Sequence, residues 1–230
     1  MNKMVGKNGL ILGAFALVTT SIIALTYSFT HERIEQAKEK QLLGTLNQVV
    51  VKALHDNELH LDCVRLSPLE QLGGNSQRVF RSRLNGENTA LIIETTAPDG
   101  YSGAIDLVVA IDTKDTVLGA RVINHKETPG LGDKIELRIS DWILSFANQT
   151  FNDQTQDRWQ VKKDGGQFDQ FTGATITPRA VVNAIKQATI FGQNYKSQLF
   201  DAASNCQTDN VLTIAAGSDI SSSEKESNSE

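Results

Sequence analysis

Residues 104–123, AIDLVVAIDTKDTVLGARVI, decide the fold because they contain two apolar runs joined by a short polar turn. The runs 104–111 and 117–123 are rich in Val, Ile and Leu, which are common in strands. Two such runs separated by the turn-like segment 112–115 predict an antiparallel hairpin. A further strand is predicted at 91–96. Because strands come first and helices are interleaved later, we predict an α+β domain with an antiparallel sheet and packed helices.

The segment 169–178, DQFTGATITP, leads from a turn into a helix. Thr177 is predicted to cap this helix and Pro178 to be its first residue, because proline lacks the N–H that a first helical residue leaves unpaired. Apolar residues then recur at helical spacing, and Gly192 is predicted to end the helix. The apolar stripe consists of Ala180, Val181, Ala184, Ile185 and Ala188.

The start of this helix is a candidate phosphate site. The first N–H groups of a helix are unpaired and carry about half a positive charge, so a phosphate beside Thr175 is stabilised without a lysine cluster. Gly173 leaves room for the backbone to approach a ligand closely. The alternative is a well-capped turn that binds nothing, and the residues alone leave both interpretations open.

A second candidate element is the loop 125–136, HKETPGLGDKIE, which follows the hairpin. Pro129 and Gly130 form a turn dipeptide, and Gly132 adds a second flexible point. Loops displayed at the end of a strand are common binding elements. By itself, the loop would be interpreted as an ordinary turn that carries solvated charges.

The amino terminus is predicted to cross a membrane. Residues 9–29 carry no formal charge, and about 20 apolar residues can span a hydrocarbon core of roughly 30 Å as a helix. Lys3 and Lys7 precede the span, so the positive-inside tendency predicts a cytoplasmic N-terminus at 1–8 and a periplasmic main domain. A cleaved signal peptide is the alternative, but its usual small-residue cleavage site is hard to find.

The rest of the chain is divided by composition. Residues 30–60 are predicted to form a helical stalk, because residues 31 to about 51 are rich in good helix formers and lack proline. The alternative, which is compatible with a stalk, is that this segment is the first helix of the domain. Residues 61–210 are expected to form the periplasmic domain. The tail 211–230 is predicted to be disordered, because most of its residues are polar or charged and cannot bury apolar surface.

Charge and cysteine content narrow the function classes. The net charge of −5 and a pI of 5.4, with no basic face, argue against a nucleic-acid partner. Cys63 and Cys206 are a candidate disulfide in an oxidising compartment, although two cysteines can also stay unpaired. His55 and His60 lie near Cys63, but no convincing fourth ligand is present, so we predict no metal site. No catalytic residue is assigned.

Two motifs together carry a resemblance. The string D-x-x-T-G-A-T-x-T at 169–177 and the E-T-P-G-L-G string at 127–132 are similar to an FMN-binding domain found in two kinds of membrane protein. These are the G subunits of Rnf-type (Rsx-type) ion-translocating electron transport complexes and the C subunits of sodium-translocating NADH:quinone reductases. The resemblance implies that a flavin transferase joins FMN covalently to Thr175 through a phosphodiester. The implied cofactor-binding residues around this threonine are Thr172, Gly173, Ala174 and Thr177, and those in the loop are Glu127, Thr128, Gly130 and Leu131, with Leu131 packing on the flavin ring.

The expected function is electron transfer within a membrane complex. Flavin supplies the redox chemistry, so we expect an electron carrier in the bacterial inner membrane rather than a self-sufficient enzyme. Its implied partners are the other membrane subunits of the complex and, during maturation, the flavin transferase. The short chain, its acidic tail and the wording of the E-T-P-G-L-G loop favour the Rnf-type G subunits. The alternatives are the C subunit of the quinone reductase, a membrane-anchored FMN-binding sensor module, or an anchored module without a cofactor.

Overall fold

The computed structural model describes residues 2–208 and 210–214, and for residues 2–5, 35, 38 and 39 it describes the backbone alone. The chain forms two compact units, Met1–Thr45 and Leu46–Glu230, which are considered separately. Residues 215–230 of the predicted tail lie outside the described residues.

The first unit is helical. Helix α1, Asn2–Val49, contains the segment Gly6–Ile34, which is long and apolar enough to cross a membrane and includes the predicted span 9–29. The side chains of this segment are exposed. The hydroxyl of Thr19 donates to the carbonyl oxygen of Phe15 at 2.9 Å, so a polar side chain is satisfied by its own helix. This helix is a candidate membrane span.

The predicted stalk differs from the structure in its second half. Helix α1 ends at Val49, and only the short 3₁₀ helix Lys52–Leu54 follows before the chain turns into the domain. Residues 46–60 belong to the second compact unit, where Leu46, Val49 and Val50 are buried. These apolar residues are therefore buried within the second unit. The helix ends close to residue 51, where the helix-favouring composition ends, but short of the predicted stalk boundary at 60.

The second unit is built on a five-stranded antiparallel sheet, which confirms the predicted α+β class. Its strands are β1 Cys63–Arg65, β2 Arg78–Leu84, β3 Glu87–Ala97, β4 Ile105–Asp112 and β5 Val117–Asn124. They lie in the order β1-β2-β3-β4-β5, so each strand pairs with its neighbour in sequence. The predicted hairpin is β4 and β5, with Val109 opposite Ala120.

Helix α2, Ile176–Asp201, packs across β3 and β4. The prediction that Gly192 ends this helix is wrong, because the helix continues to Asp201. A Cβ atom on Gly192 would lie 2.9 Å from the Cδ1 atoms of Ile93 and Ile111. Glycine at this position allows α2 to approach the sheet closely, and it marks a contact rather than a helix end.

The C-terminal end of α2 is held by a buried arginine. The guanidinium of Arg81, which is 3% exposed, donates to the carbonyl oxygens of Leu199, Phe200 and Ala202. It also pairs with Asp62, with 2.5 Å between Nη2 and Oδ1. Orphan carbonyl groups of the last turn are thereby satisfied by a cation. Helix α2 is therefore fixed along the sheet and at its C-terminal end, and its N-terminal end is the start that follows Thr175.

The segment after α2 returns to the sheet. The Cα atoms of Cys63 and Cys206 lie 5.7 Å apart, and the two residues are joined as a disulfide in the structure. Beyond them, Leu212 forms a parallel bridge with Leu66, and Ile214 is buried in the core. Residues 211–214 therefore pack on the domain through their apolar side chains, so the part of the predicted tail that the structure describes is ordered.

Candidate functional site

The segment 169–177, which contains Thr175, begins with a tight turn. The N–H of Ala174 donates to the carbonyl oxygen of Phe171 at 3.1 Å, and Gly173 within the turn has φ of +80°. Glycine adopts this left-handed conformation without the steric cost that a side chain brings. Phe171 is buried against Trp142, whereas Thr172 and Gly173 are exposed. The turn therefore holds the segment by its aromatic end and displays the glycine and hydroxyl groups.

Thr175 lies at the boundary between this turn and α2. It occupies the N-cap position with φ of −85° and ψ of −22°, and its side chain makes no capping hydrogen bond within the described structure. Because α2 begins at Ile176, the N–H groups of Ile176 and Thr177 have no intrahelical partner. The half-buried hydroxyl of Thr175 therefore lies beside the positive end of the helix dipole.

The assignment of Thr177 as the helix cap is wrong. Thr177 is the second residue of α2 and is fully buried. Its hydroxyl donates to Oε2 of Glu127 at 2.5 Å, and Oε1 of Glu127 accepts from the N–H of Ser102 at 3.0 Å. The helical backbone at 177 excludes the extended conformation that caps usually adopt. The hydroxyl serves a contact between segments that are 50 residues apart in sequence.

The second predicted loop folds around a glycine turn. The N–H groups of Leu131 and Gly132 both donate to the carbonyl oxygen of Thr128 at 3.1 Å, and Gly130 has φ of +78°. A Cβ atom on Gly132 would lie 2.7 Å from Oε2 of Glu127 and 3.0 Å from Oγ1 of Thr177. Glycine at 132 is therefore required for the loop to pack directly on the start of α2.

The two predicted loops meet at Leu131. Its side chain is 43% exposed, and its Cδ2 atom would be 3.6 Å from a Cβ atom placed on Gly173. Ile176, the residue that follows Thr175, is 46% exposed. Large apolar side chains at this exposure offer a surface on which a planar aromatic ring can pack. The structure thus brings Leu131 of the loop next to the segment that contains Thr175.

Two ion pairs set the electrostatics around the site. Arg179 in the first turn of α2 donates two hydrogen bonds of 2.6 Å to Asp164, and this contact holds the pKa of the Asp164 carboxyl below its usual range. The pKa of Glu136 is also lowered, first by its hydrogen bond from Arg138 and also by one from His125. Since Arg179 is already paired with a carboxylate, the unpaired N–H groups at the start of α2 are the donors nearest in sequence to Thr175.

Ser102 and His125 are site residues that the motifs did not identify. The backbone N–H of Ser102 donates to Glu127, so the identity of the side chain at 102 does not indicate this role. The ring of His125 accepts from the N–H of Glu127 at Nδ1, at 3.0 Å, and lies 2.6 Å from Oε1 of Glu136 at Nε2. The signal that could have identified His125 was its position two residues before Glu127.

A groove lies further along the same helix. It has a volume of about 320 Å³ and is lined on one side by Ala180, Asn183 and Gln187 of α2, and on the other by residues that include Thr96 and Pro98. Ala180 follows Thr175 by five residues, or about 7.5 Å along the helix axis. Leu131 therefore lies beside the turn that precedes α2, and a groove with polar and apolar lining residues lies further along the helix.

These features fit an FMN group held at Thr175. Within the described structure the hydroxyl of Thr175 makes no capping bond, and it stands at a helix start whose first N–H groups have no intrahelical partner, which suits a phosphate. Exposed Leu131 lies beside the same turn and suits the flavin ring. Glu127 is only 5% exposed, and protein donors occupy both of its carboxylate oxygens.

Comparison with known proteins identifies the family. A model of the FMN-binding domain matches residues 100–189, and a model of the RnfG N-terminal region matches residues 1–49. The G subunit of an ion-translocating oxidoreductase complex from Pseudoalteromonas atlantica is 51% identical over 90% of this chain and 97% of its own length. The chain belongs to this G-subunit family. The G subunits of Vibrio cholerae and Shewanella piezotolerans are 50% and 45% identical, over 90% and 91% of this chain and 99% and 100% of their own.

Membership of the G-subunit family confirms the predicted relationship. Both motif loops lie inside the FMN-binding domain at 100–189, as do Ser102 and His125. The candidate membrane span Gly6–Ile34 lies within the family's N-terminal region at 1–49. This member of the family therefore combines a candidate span with an FMN-binding domain.

Proposed function

We propose that this chain is the membrane-anchored subunit of an ion-translocating electron transport complex and transfers electrons through an FMN covalently attached to Thr175. Membership of the G-subunit family and the match to the FMN-binding domain support a role as an FMN-binding subunit of such a complex. Flavin can take up one electron or two, while the protein fixes its position and tunes its electronics. The other membrane subunits of the complex are the proposed electron donor and acceptor.

The assignment to Thr175 rests on the position, burial and hydrogen bonding of three candidate threonines, Thr172, Thr175 and Thr177. The Thr177 hydroxyl is buried and donates to Glu127, so it is not free to be esterified. Thr172 is exposed but lies in the turn, four residues before α2 begins. Thr175 combines a side chain that makes no capping bond, in the described structure, with a position at the positive end of the helix.

The attachment is proposed to be a phosphoryl transfer from FAD. The Thr175 oxygen forms a bond to the phosphorus of the flavin phosphate, the pyrophosphate bond breaks, AMP leaves, and the hydroxyl proton is released. The product is a phosphodiester whose negative charge lies at the start of α2, where the N–H groups of Ile176 and Thr177 are unpaired. A separate flavin transferase is the proposed catalyst, as the resemblance implies.

We also propose that the domain lies in the periplasm, anchored by α1 in the inner membrane. The described segment Gly6–Ile34 is long enough to span the membrane, and Lys3 and Lys7 lie before the uncharged residues 9–29. Positive residues favour the cytoplasmic side of a span. Covalent attachment suits this compartment, because a tethered flavin cannot diffuse away.

Peptide mass spectrometry of the full chain, purified from cells that make the transferase, tests the attachment. Trypsin yields the peptide 164–179, which contains Thr172, Thr175 and Thr177, so fragmentation is needed to locate the added flavin phosphate. We expect it on Thr175 and expect the Thr175→Val protein to lose it. Valine matches the shape of threonine and disturbs no capping bond, so folding is preserved.

The matched control is Thr172→Val, which removes the neighbouring exposed hydroxyl and leaves the flavin attached. Fluorescence of the denatured protein band under ultraviolet light gives a second readout. An unmodified wild-type peptide, or equal labelling of Thr175→Val and wild type, would refute the assignment.

A further inference from the structure

His125, which precedes the E-T-P-G-L-G motif, makes a hydrogen bond with each of its two ring nitrogens. Nδ1 of His125 lies 3.0 Å from the backbone nitrogen of Glu127, and Nε2 lies 2.6 Å from Oε1 of Glu136. The His125 side chain is only 10% exposed. Both ring nitrogens are therefore occupied, one at each end of the loop that carries Leu131.

These partners determine which nitrogen carries the proton. A backbone N–H can only donate, so Nδ1 of His125 must be unprotonated to accept from Glu127. The carboxylate of Glu136 can only accept, so Nε2 must carry the hydrogen. A second proton at Nδ1 would break the bond to Glu127. The geometry therefore selects the neutral imidazole with its hydrogen on Nε2.

The contacts continue from His125 to the helix that begins beside Thr175. His125 fixes the backbone of Glu127, whose carboxylate accepts from Ser102 and from Thr177. Gly132 closes the loop against this carboxylate and the Thr177 hydroxyl. Thr177 is two residues after Thr175, so each contact in the series bears on the position of the loop relative to the attachment point.

We propose that His125, as the neutral Nε2–H tautomer, is a positioning residue that sets the orientation of the Thr175-linked flavin by holding Glu127 and the Leu131 loop against the start of α2. The inference rests on the proposed attachment of FMN to Thr175. His125 touches no flavin atom in this account. It acts on the flavin through Glu127 and Leu131, and nothing in the motifs assigned it a role.

Two substitutions separate the hydrogen bond that Nδ1 accepts from Glu127 from the one between Nε2 and Glu136. Leucine at 125 removes both contacts, whereas asparagine keeps an oxygen that can accept from the N–H two residues ahead, as in an Asx turn. The full chain is purified with its flavin from cells that make the transferase. Visible circular dichroism reports the orientation of the bound chromophore, and the midpoint potential reports its environment.

We expect His125→Leu to lose the wild-type visible circular dichroism and to shift the midpoint potential, and His125→Asn to restore both. The control is His60→Leu, which removes another partly exposed histidine of the same domain and leaves both signals unchanged. Spectra are recorded well below each melting temperature. A folded, flavin-bearing His125→Leu protein with wild-type dichroism and potential would overturn the inference, even if its melting temperature fell.

The tautomer is tested directly by ¹⁵N NMR of ring-labelled histidines in the wild-type full chain. His125 should show an unprotonated Nδ1 and a protonated Nε2. His55 is an internal contrast, because its Nδ1 lies 3.2 Å from the carbonyl oxygen of Asn57 and must carry the hydrogen if it is to bond there. A proton on Nδ1 of His125 would overturn the inference. A wild-type chain without FMN on Thr175 would instead refute the proposed function, and this inference with it, before any His125 variant is compared.

Discussion

Replacing Thr177 by valine tests the junction between α2 and the Glu127 loop. Valine keeps the shape of threonine but removes the hydroxyl that donates to Oε2 of Glu127 at 2.5 Å. Because both residues are buried, no bulk water is at hand to replace the donor. A hydrogen bond to a charged group contributes about 1.5 to 3 kcal/mol, and we expect Thr177→Val to reduce the free energy of unfolding by that amount.

Thr177→Ser is the matched variant. Serine keeps the hydroxyl donor and loses one buried methyl group, a change that costs about 0.5 to 1.5 kcal/mol in protein cores. If the hydroxyl matters more than the methyl group, valine destabilises more than serine. For a domain of this size, 1 kcal/mol corresponds to about 2 to 4 °C in melting temperature, so Thr177→Val should melt roughly 3 to 12 °C below wild type.

Thermal unfolding of the full chain in detergent, followed by tryptophan fluorescence, measures the difference. Trp142 and Trp159 lie in the same unit as Thr177, so their signal reports the unfolding of that unit. A Thr177→Val protein as stable as wild type would show that the hydroxyl of Thr177 contributes nothing to the junction. A Thr177→Val protein that is destabilised less than Thr177→Ser would show that the hydroxyl contributes less than the methyl group.

Three further predictions concern other parts of the chain. Replacing Cys63 and Cys206 with serine should lower the melting temperature, because a crosslink across 143 residues contributes about 5 kcal/mol in the chain-entropy model; equal melting of oxidised wild type and the double variant would contradict it. Since Arg138 lowers the pKa of Glu136, stability from this pair is present above the ordinary value of 4.5 and is lost as pH falls through the depressed pKa, so melting curves of wild type and Arg138→Gln should converge in acid. A periplasm-dependent reporter fused after Ser204 should be active, and an active cytoplasm-dependent fusion at the same position would overturn the topology.

The sheet was predictable where its pattern is local. The β4–β5 hairpin followed from two apolar runs and a polar turn, and β3 from its β-branched residues. Strand β2 was missed, although Asn85 and Gly86, with φ of 53° and 81°, form a two-residue turn of the type that Asn-Gly favours in hairpins. Strand β1 has only three residues, and its pairing depends on β2, so no local periodicity predicts it.

The ends of α2 show why local signals failed. Thr-Pro and a later glycine are good helix boundaries in an isolated peptide, but tertiary contacts decided both positions. Thr177 is buried where the helix meets Glu127, and Gly192 lies where the helix crosses the sheet. Both residues are common at helix ends, but here they lie inside the helix, where Thr177 makes a hydrogen bond and Gly192 allows close packing on the sheet. Sequence reasoning identified the helix and misplaced its ends, because those contacts come from segments distant in the chain.

The same contact explains how two motifs about 40 residues apart in sequence come together at the start of α2. The segment 169–177 supplies the hydroxyl of Thr177. The E-T-P-G-L-G loop supplies Glu127, which accepts the hydrogen bond, and Gly132, which allows the two segments to pack closely. Removing any of the three should disturb the junction even though Thr175 is unchanged. The resemblance was the basis of the Thr175 assignment, and the wrong prediction that Thr177 is the helix cap only aided it. The assignment is now supported by a different reason, since the Thr177 hydroxyl is still engaged while the side chain of Thr175 makes no capping bond in the described structure.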